Sequence, residues 1–196
     1  MTHLYLVRHG QTDWNAVGRI ATRSDRPLTT RGINQANDLG RFLASRRVRF
    51  DAAFASPMAR ATDTARIALD EMGRSDLAVV PEPRAAEVDA GPYEGWTEAE
   101  IALDQGAQAW RAGAEVEGSE SDPDAVLRAM GLLESLSALG GNVLLVSHGK
   151  FIRMLIAHAV LDIPLGQSWG LRIFNASPAI VDLDGSRARL RALNQL

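Results

Sequence analysis

A chain of 196 residues with 46% hydrophobic content can bury a sizeable core, which excludes intrinsic disorder. Its 21 Lys and Arg against 24 Asp and Glu give a net charge of −3, so no global positive field draws it to nucleic acid or an anionic membrane, and neither is expected as a partner. Cysteine is absent, which removes disulfide scaffolds, thiolate metal sites and thiol nucleophiles together.

Leu4-Tyr5-Leu6-Val7 is a short strand-like run halted by Arg8-His9-Gly10, a buried strand emptying into a loop. It is too short for a signal peptide or a membrane span, so a cytoplasmic protein is expected. From Thr29 to Arg47 the spacing of Ile33, Ala36, Leu39, Phe42 and Leu43 predicts an amphipathic helix, with Thr29 or Thr30 as cap. Phe50–Ala55 reads as a second strand, and Ser56-Pro57 as the opening of a helix through about Met72. Leu77–Val80 is a third strand, ended by Pro81 and Pro83, and Arg84 to Trp96 is irregular. Thr97 to Ala112 is expected to be one helix, followed by an acidic loop over 113–124 and a helix from Asp122-Pro123 to Leu139. Val143–Val146, stopped by Ser147-His148-Gly149, repeats the design of the first strand. A helix from Lys150 to Leu161 and a hairpin of strands near Ala179–Leu183 and Ala188–Leu193, turning at Asp184-Gly185, complete the chain. Alternating strands and helices predict an α/β fold, a three-layer α/β/α sandwich with a mainly parallel sheet, as a single domain over residues 1–196.

Four pieces carry chemistry: Arg8-His9 after the first strand, Arg60 in the helix after the second, Glu87 in the irregular segment, and His148 with Gly149 after the strand at 143–146. Three follow strand ends, and in a parallel sheet those ends share one edge. Two arginines and two histidines meeting there call for a negative guest. Phosphate fits best, because Arg presents a planar fork of donors and a helix start after Gly149 adds backbone N–H groups. Glu82, Asp89 and Glu94 are rivals to Glu87 in the same segment. Trp14, Trp96, Trp110 and Trp169 are candidates for the mouth of the site or for core packing. The four histidines form no His-x-x-x-His pair, so no metal site is read, and no nucleotide-binding glycine loop or Gly-x-Ser-x-Gly is present; no cofactor is expected.

The blocks Leu6-Val-Arg-His-Gly-Gln-Thr-Asp-Trp-Asn15, Pro27-Leu-Thr29, Ser56-Pro-Met-Ala-Arg-Ala-Thr-Asp-Thr-Ala65, Glu87-Val-Asp-Ala-Gly-Pro-Tyr-Glu-Gly-Trp-Thr97 and Val146-Ser-His-Gly149 together resemble the histidine phosphatase superfamily, the phosphoglycerate mutase-like proteins. Asn175-Ala-Ser177 and Gly118-Ser-Glu-Ser121 resemble its minor motifs. The resemblance implies His9 as a nucleophile carrying the phosphoryl group as phosphohistidine, with a neutral ring available near its reference pKa of about 6.5. It further implies that Arg8, Arg60 and a protonated His148 hold the phosphoryl oxygens, and that Glu87 gives a proton to the leaving oxygen and takes one from water. Asn15, Thr22 and Gly149 are implied substrate contacts. Thr22 stands, after Ala21, where the family carries Gln-Gly, and offers a hydroxyl in place of a glycine's close approach.

The leading expectation is a metal-independent phosphomonoesterase acting on a small phosphorylated metabolite. The alternatives are a phosphoglycerate mutase and a non-catalytic phosphate-binding module. The stretch from Glu94 to Asp124 is short and rich in acids, and lacks the basic insertion of mutases, which favours the phosphatase. A homodimer is left open by the sequence.

Overall fold

The computed structural model describes residues 1–196 apart from the side chain of Trp169, so the expectation attached to that ring lies outside the described residues. In chain order the elements are β1 (Thr2–Arg8), α1 (Asp13–Ala16), α2 (Thr30–Ser45), β2 (Ala52–Ala55), α3 (Ala59–Glu71), β3 (Val79–Pro81), α4 (Glu98–Leu103), α5 (Gln105–Arg111), α6 (Asp122–Ser137), β4 (Gly141–Ser147), α7 (Gly149–Met154), β5 (Pro178–Asp184) and β6 (Arg187–Ala192). The sheet order is β3-β2-β4-β1-β5-β6. The first four are mutually parallel, while β5 and β6 add an antiparallel edge.

Alternation along the central strands separates two cores. Leu4 and Leu6 of β1, with Val143 and Leu145 of β4, pack on α6 and α7. Tyr5 and Val7, with Leu144 and Val146, pack on α2 and α3. Helices therefore cover both faces, giving the three-layer sandwich that the apolar strands require. A smaller cluster of Ala90, Tyr93, Ile101, Ala107 and Trp110 joins α4 and α5 to the irregular segment.

Several boundaries depart from the sequence reading. The helix expected over 97–112 is two, because Asp104 is extended and its side chain accepts from Ala107 N–H at 2.7 Å, capping α5 instead of continuing α4. Pro57 lies outside α3, whose first turn is capped from a distance by Asp25, which accepts from Ala59 N–H at 2.8 Å. Ser121 caps α6, accepting from Asp124 N–H, and the helix ends at Ser137 rather than Leu139. The helix after Gly149 is α-helical to Met154 and then widens into a π-turn over Leu155–Val160. Pro81 ends β3 from within, as an edge strand permits. Ile33 is exposed, and the buried stripe of α2 runs through Gly32, Ala36, Leu39, Gly40 and Leu43. The hairpin turns at Gly185-Ser186 between the paired Asp184 and Arg187. Among the described residues no helix is long and apolar enough to cross a membrane.

Candidate active site

β1 and β4 run in register and end together, with Arg8 beside Ser147, and His9 N–H donates to the Ser147 carbonyl at 2.9 Å. β2 ends level with them, where Ser56 N–H donates to Val146 O at 2.9 Å. The three segments that follow these strands thus converge on one edge, as the parallel topology demands. They open onto a cavity of about 540 Å³ lined by Arg8, His9, Asn15, Thr22, Glu87 and Gly149 among others.

His9 lies in the cavity wall, 4% exposed. Its Nδ1 is 2.7 Å from the Gly10 carbonyl, which cannot donate, so Nδ1 carries the proton and Nε2 holds the free lone pair. Asn175 Nδ2 donates to the His9 carbonyl at 2.8 Å, and Thr64 Oγ1 accepts from Gly10 N–H at 2.9 Å, so the main chain around the ring is fixed on both sides. Gly10 must be glycine because a Cβ there would meet the Gly32 carbonyl at 2.5 Å.

Arg8 lines the cavity, donates from one terminal nitrogen to Ile173 O at 3.0 Å, and has a buried Nε without a hydrogen-bond partner. Gly149 makes room for that guanidinium, since a Cβ would stand 3.2 Å from its Nε. Glu87 reaches the start of α7. Its Oε1 accepts from Val88 N–H at 2.9 Å and Phe151 N–H at 2.8 Å, and its Oε2 from Lys150 N–H at 3.1 Å. One lone-pair position on Oε2 is left over. Asn15 shares a capping box with Thr12, its Oδ1 accepting from Thr12 N–H at 3.2 Å, which turns its amide NH₂ away from that bond.

Arg60 and His148 are fully buried and stand behind the cavity wall, not in it. Arg60 donates to the carbonyls of Ser24, Ala21 and Thr22 at 2.7 to 3.2 Å, and from Nε to His148 Nδ1 at 3.3 Å. With Nδ1 accepting, His148 donates from Nε2 to Ser56 Oγ at 2.8 Å and the ring is neutral, which corrects the protonated form expected from the sequence. Burial, then His9, Arg60 and Arg8, push the His148 pKa well below the ordinary histidine value. Burial, then Arg8 and Arg60, do the same to His9. The His9 and His148 ring centroids are 5.2 Å apart.

Thr22 lines the cavity, but its hydroxyl is committed elsewhere. Its N–H and Oγ–H both donate to Glu94 Oε2, at 2.9 and 2.6 Å, and Glu94 Oε1 accepts from Ser24 N–H at 3.0 Å. The expectation of a substrate-facing hydroxyl is corrected accordingly. Glu94 holds the N–H side of residues 22–24 and Arg60 the C=O side of residues 21–24, so the segment in place of Gln-Gly is clamped from both directions.

A buried neutral imidazole has a consequence for stability. In the unfolded chain both rings titrate near about 6.5, and in the fold they titrate lower. Below that pH the unfolded state binds more protons, so stability falls on acidification, by up to about 1.4 kcal/mol per pH unit for each ring. Denaturant titrations at about pH 7.5 and pH 5 are expected to show this loss, reduced in His148→Gln. An equal loss in the variant contradicts the assignment of a neutral His148.

A family model described as histidine phosphatase superfamily, branch 1, matches residues 4–196. The chain belongs to that superfamily. Among similar proteins, a 2,3-bisphosphoglycerate-dependent phosphoglycerate mutase of Methylobacterium radiotolerans is 36% identical over 169 residues, covering 81% of this chain and 78% of the relative. Similar solved structures include a mycobacterial glucosyl-3-phosphoglycerate phosphatase in complex with VO₃, at TM-score 0.85 and 32% identity, covering 98% of both chains. The alpha-ribazole phosphatase of Shigella flexneri superposes at TM-score 0.84 with 29% identity, covering 98% of this chain and 96% of its own. The family and these phosphatase structures make the chain a phosphoric monoester hydrolase.

The cavity wall also holds residues that sequence reasoning passed over: Lys150, Arg153, Arg111 and Arg172. Arg153 had a signal, as the one charge within the apolar run Phe151–Ala157, one helical turn beyond Gly149. Of the tryptophans, Trp110 lines the cavity and lies 5.0 Å from Lys150 Nζ, whereas Trp96 packs on the third cluster.

Proposed function

We propose that the protein is a metal-independent phosphomonoesterase that takes the phosphoryl group of a small phosphorylated metabolite onto His9. The observation that carries this reading is the His9 tautomer: Nδ1–H is spent on Gly10 O, and Nε2 is a lone-pair donor in the wall of a cavity shared with Arg8. Burial and neighbouring guanidiniums keep that nitrogen unprotonated, so no separate base is required. The Nε2 lone pair attacks phosphorus and the P–O bond to the leaving group breaks. Glu87, from the open position on Oε2, supplies the proton to that oxygen. Water then attacks the phosphohistidine, returns a proton to Glu87, and restores the ring. The guanidinium of Arg8 and the amide of Asn15, both in the cavity wall, face the transferring group. Arg60 and His148 act from behind, Arg60 by holding residues 21–24 and His148 by bridging Ser56 and Arg60. That a related phosphatase was solved with VO₃ supports an oxyanion as the guest.

The mutase reading is favoured by the names of the relatives at 33–36% identity. Purified protein is expected to hydrolyse 4-nitrophenyl phosphate with unchanged rate in excess chelator, and to release inorganic phosphate from phosphoglycerates without interconverting them. Interconversion without net phosphate release contradicts the phosphatase reading in favour of the mutase, and absence of any turnover favours a binding module.

A further inference from the structure

Beyond Arg8, the cavity wall contains five cations, Arg19, Arg111, Lys150, Arg153 and Arg172, a composition that at first sight suits a substrate with a second negative group. Their partners argue otherwise. Lys150 Nζ is 2.9 Å from Asp122 Oδ1, and each side chain of that pair is only 15% exposed. Arg111 is held by both oxygens of Glu98, at 2.5 and 2.8 Å. Arg19 lies 3.7 Å from Glu100. Burial lowers the Arg153 pKa, with Arg111 acting in the same direction and Glu87, Asp122 and Glu98 against it. Arg172 is exposed at the rim, where solvent screens it. A carboxylate entering this region meets Glu98 in the wall, and must compete with Glu98 for Arg111 or with Asp122 for Lys150. The Leu171–Asn175 segment brings Leu171, Ile173 and a half-exposed Phe174 to the wall, beside Arg172 and Asn175. A cavity of about 540 Å³ leaves ample room for a leaving group beside the phosphoryl position.

We propose that the substrate is a phosphate monoester whose leaving group bears no second negative charge and lays an apolar face on Leu171 and Phe174. This specifies the phosphatase reading above and rests on it. The test compares pairs differing by one charge: glycerol 3-phosphate against 3-phosphoglycerate, and benzyl phosphate against 4-carboxybenzyl phosphate. In the wild type, kcat/KM for the uncharged member of each pair is expected to exceed that of the carboxylate by about tenfold, with benzyl phosphate above glycerol 3-phosphate. Asp122→Asn frees Lys150 and Glu98→Gln frees Arg111, so each is expected to bring the ratio toward unity. Glu98 is exposed at the start of α4, so its variant carries the test if Asp122→Asn fails to fold. A wild-type preference for the carboxylate member, or ratios that neither variant moves, overturns the inference while leaving a working phosphatase. Failure to hydrolyse all four esters and 4-nitrophenyl phosphate overturns the phosphatase reading itself, and this inference with it.

Discussion

His9→Ala is expected to lower kcat for phosphate-monoester hydrolysis by at least about 10⁴-fold with the fold intact, because no other nucleophile replaces the lost ring nitrogen. The ring makes one hydrogen bond, to the carbonyl of its own neighbour Gly10, and the main chain at this position is tied independently through Asn175, Thr64 and Ser147. Removing the imidazole therefore leaves the strand end anchored. It also removes a group that burial and two guanidiniums keep neutral. Circular dichroism and a denaturation midpoint near the wild-type value check the fold, and hydrolysis of 4-nitrophenyl phosphate checks the activity. Residual turnover within about tenfold of wild type takes His9 out of the nucleophile role.

Glu87→Gln is expected to separate substrates by the quality of their leaving group. For alkyl phosphates, whose alkoxide needs a proton as it departs, the loss in kcat is expected to reach about 10²- to 10³-fold. For 4-nitrophenyl phosphate, which leaves as a stable phenolate, it is expected to stay below about tenfold. Glutamine can retain the acceptor role toward Phe151 and Val88 N–H through its carbonyl oxygen, but its NH₂ faces Lys150 N–H where Oε2 accepts in the wild type. A modest loss of stability is therefore expected beside the kinetic effect, and the leaving-group dependence distinguishes the two. Equal losses for both ester classes remove Glu87 from proton transfer and return Asp89 and Glu94 to consideration. Glu94 is the weaker of these, being committed to Thr22 and Ser24.

What the sequence made legible was local or periodic. Leu4–Val7 and Val143–Val146 announce buried parallel strands because each is apolar on both faces and stopped by a polar triplet, and their parallel pairing puts His9 and His148 at one edge. The amphipathic spacing of 30–45 and the cap at Thr29 are written in neighbouring residues. What escaped depends on contacts between distant segments. Thr22 looks like a free hydroxyl until Glu94, 72 positions later, takes it. Arg60 looks like an oxyanion ligand until the carbonyls of residues 21, 22 and 24 claim its donors. The protonation of His148 follows from a guanidinium donor of Arg60 facing Nδ1, a fact of packing that spacing does not encode. Asp104 divides a helix because one side-chain cap competes with continued winding, and both options fit the same local residues.

Rapid-quench labelling with a ³²P-labelled ester tests the phosphohistidine directly. Acid-labile, base-stable label that maps to His9 is expected in the wild type, forming faster than steady-state turnover and absent from His9→Ala. An enzyme that turns over the same ester with no label on that ring, or with acid-stable label elsewhere, contradicts the phosphohistidine.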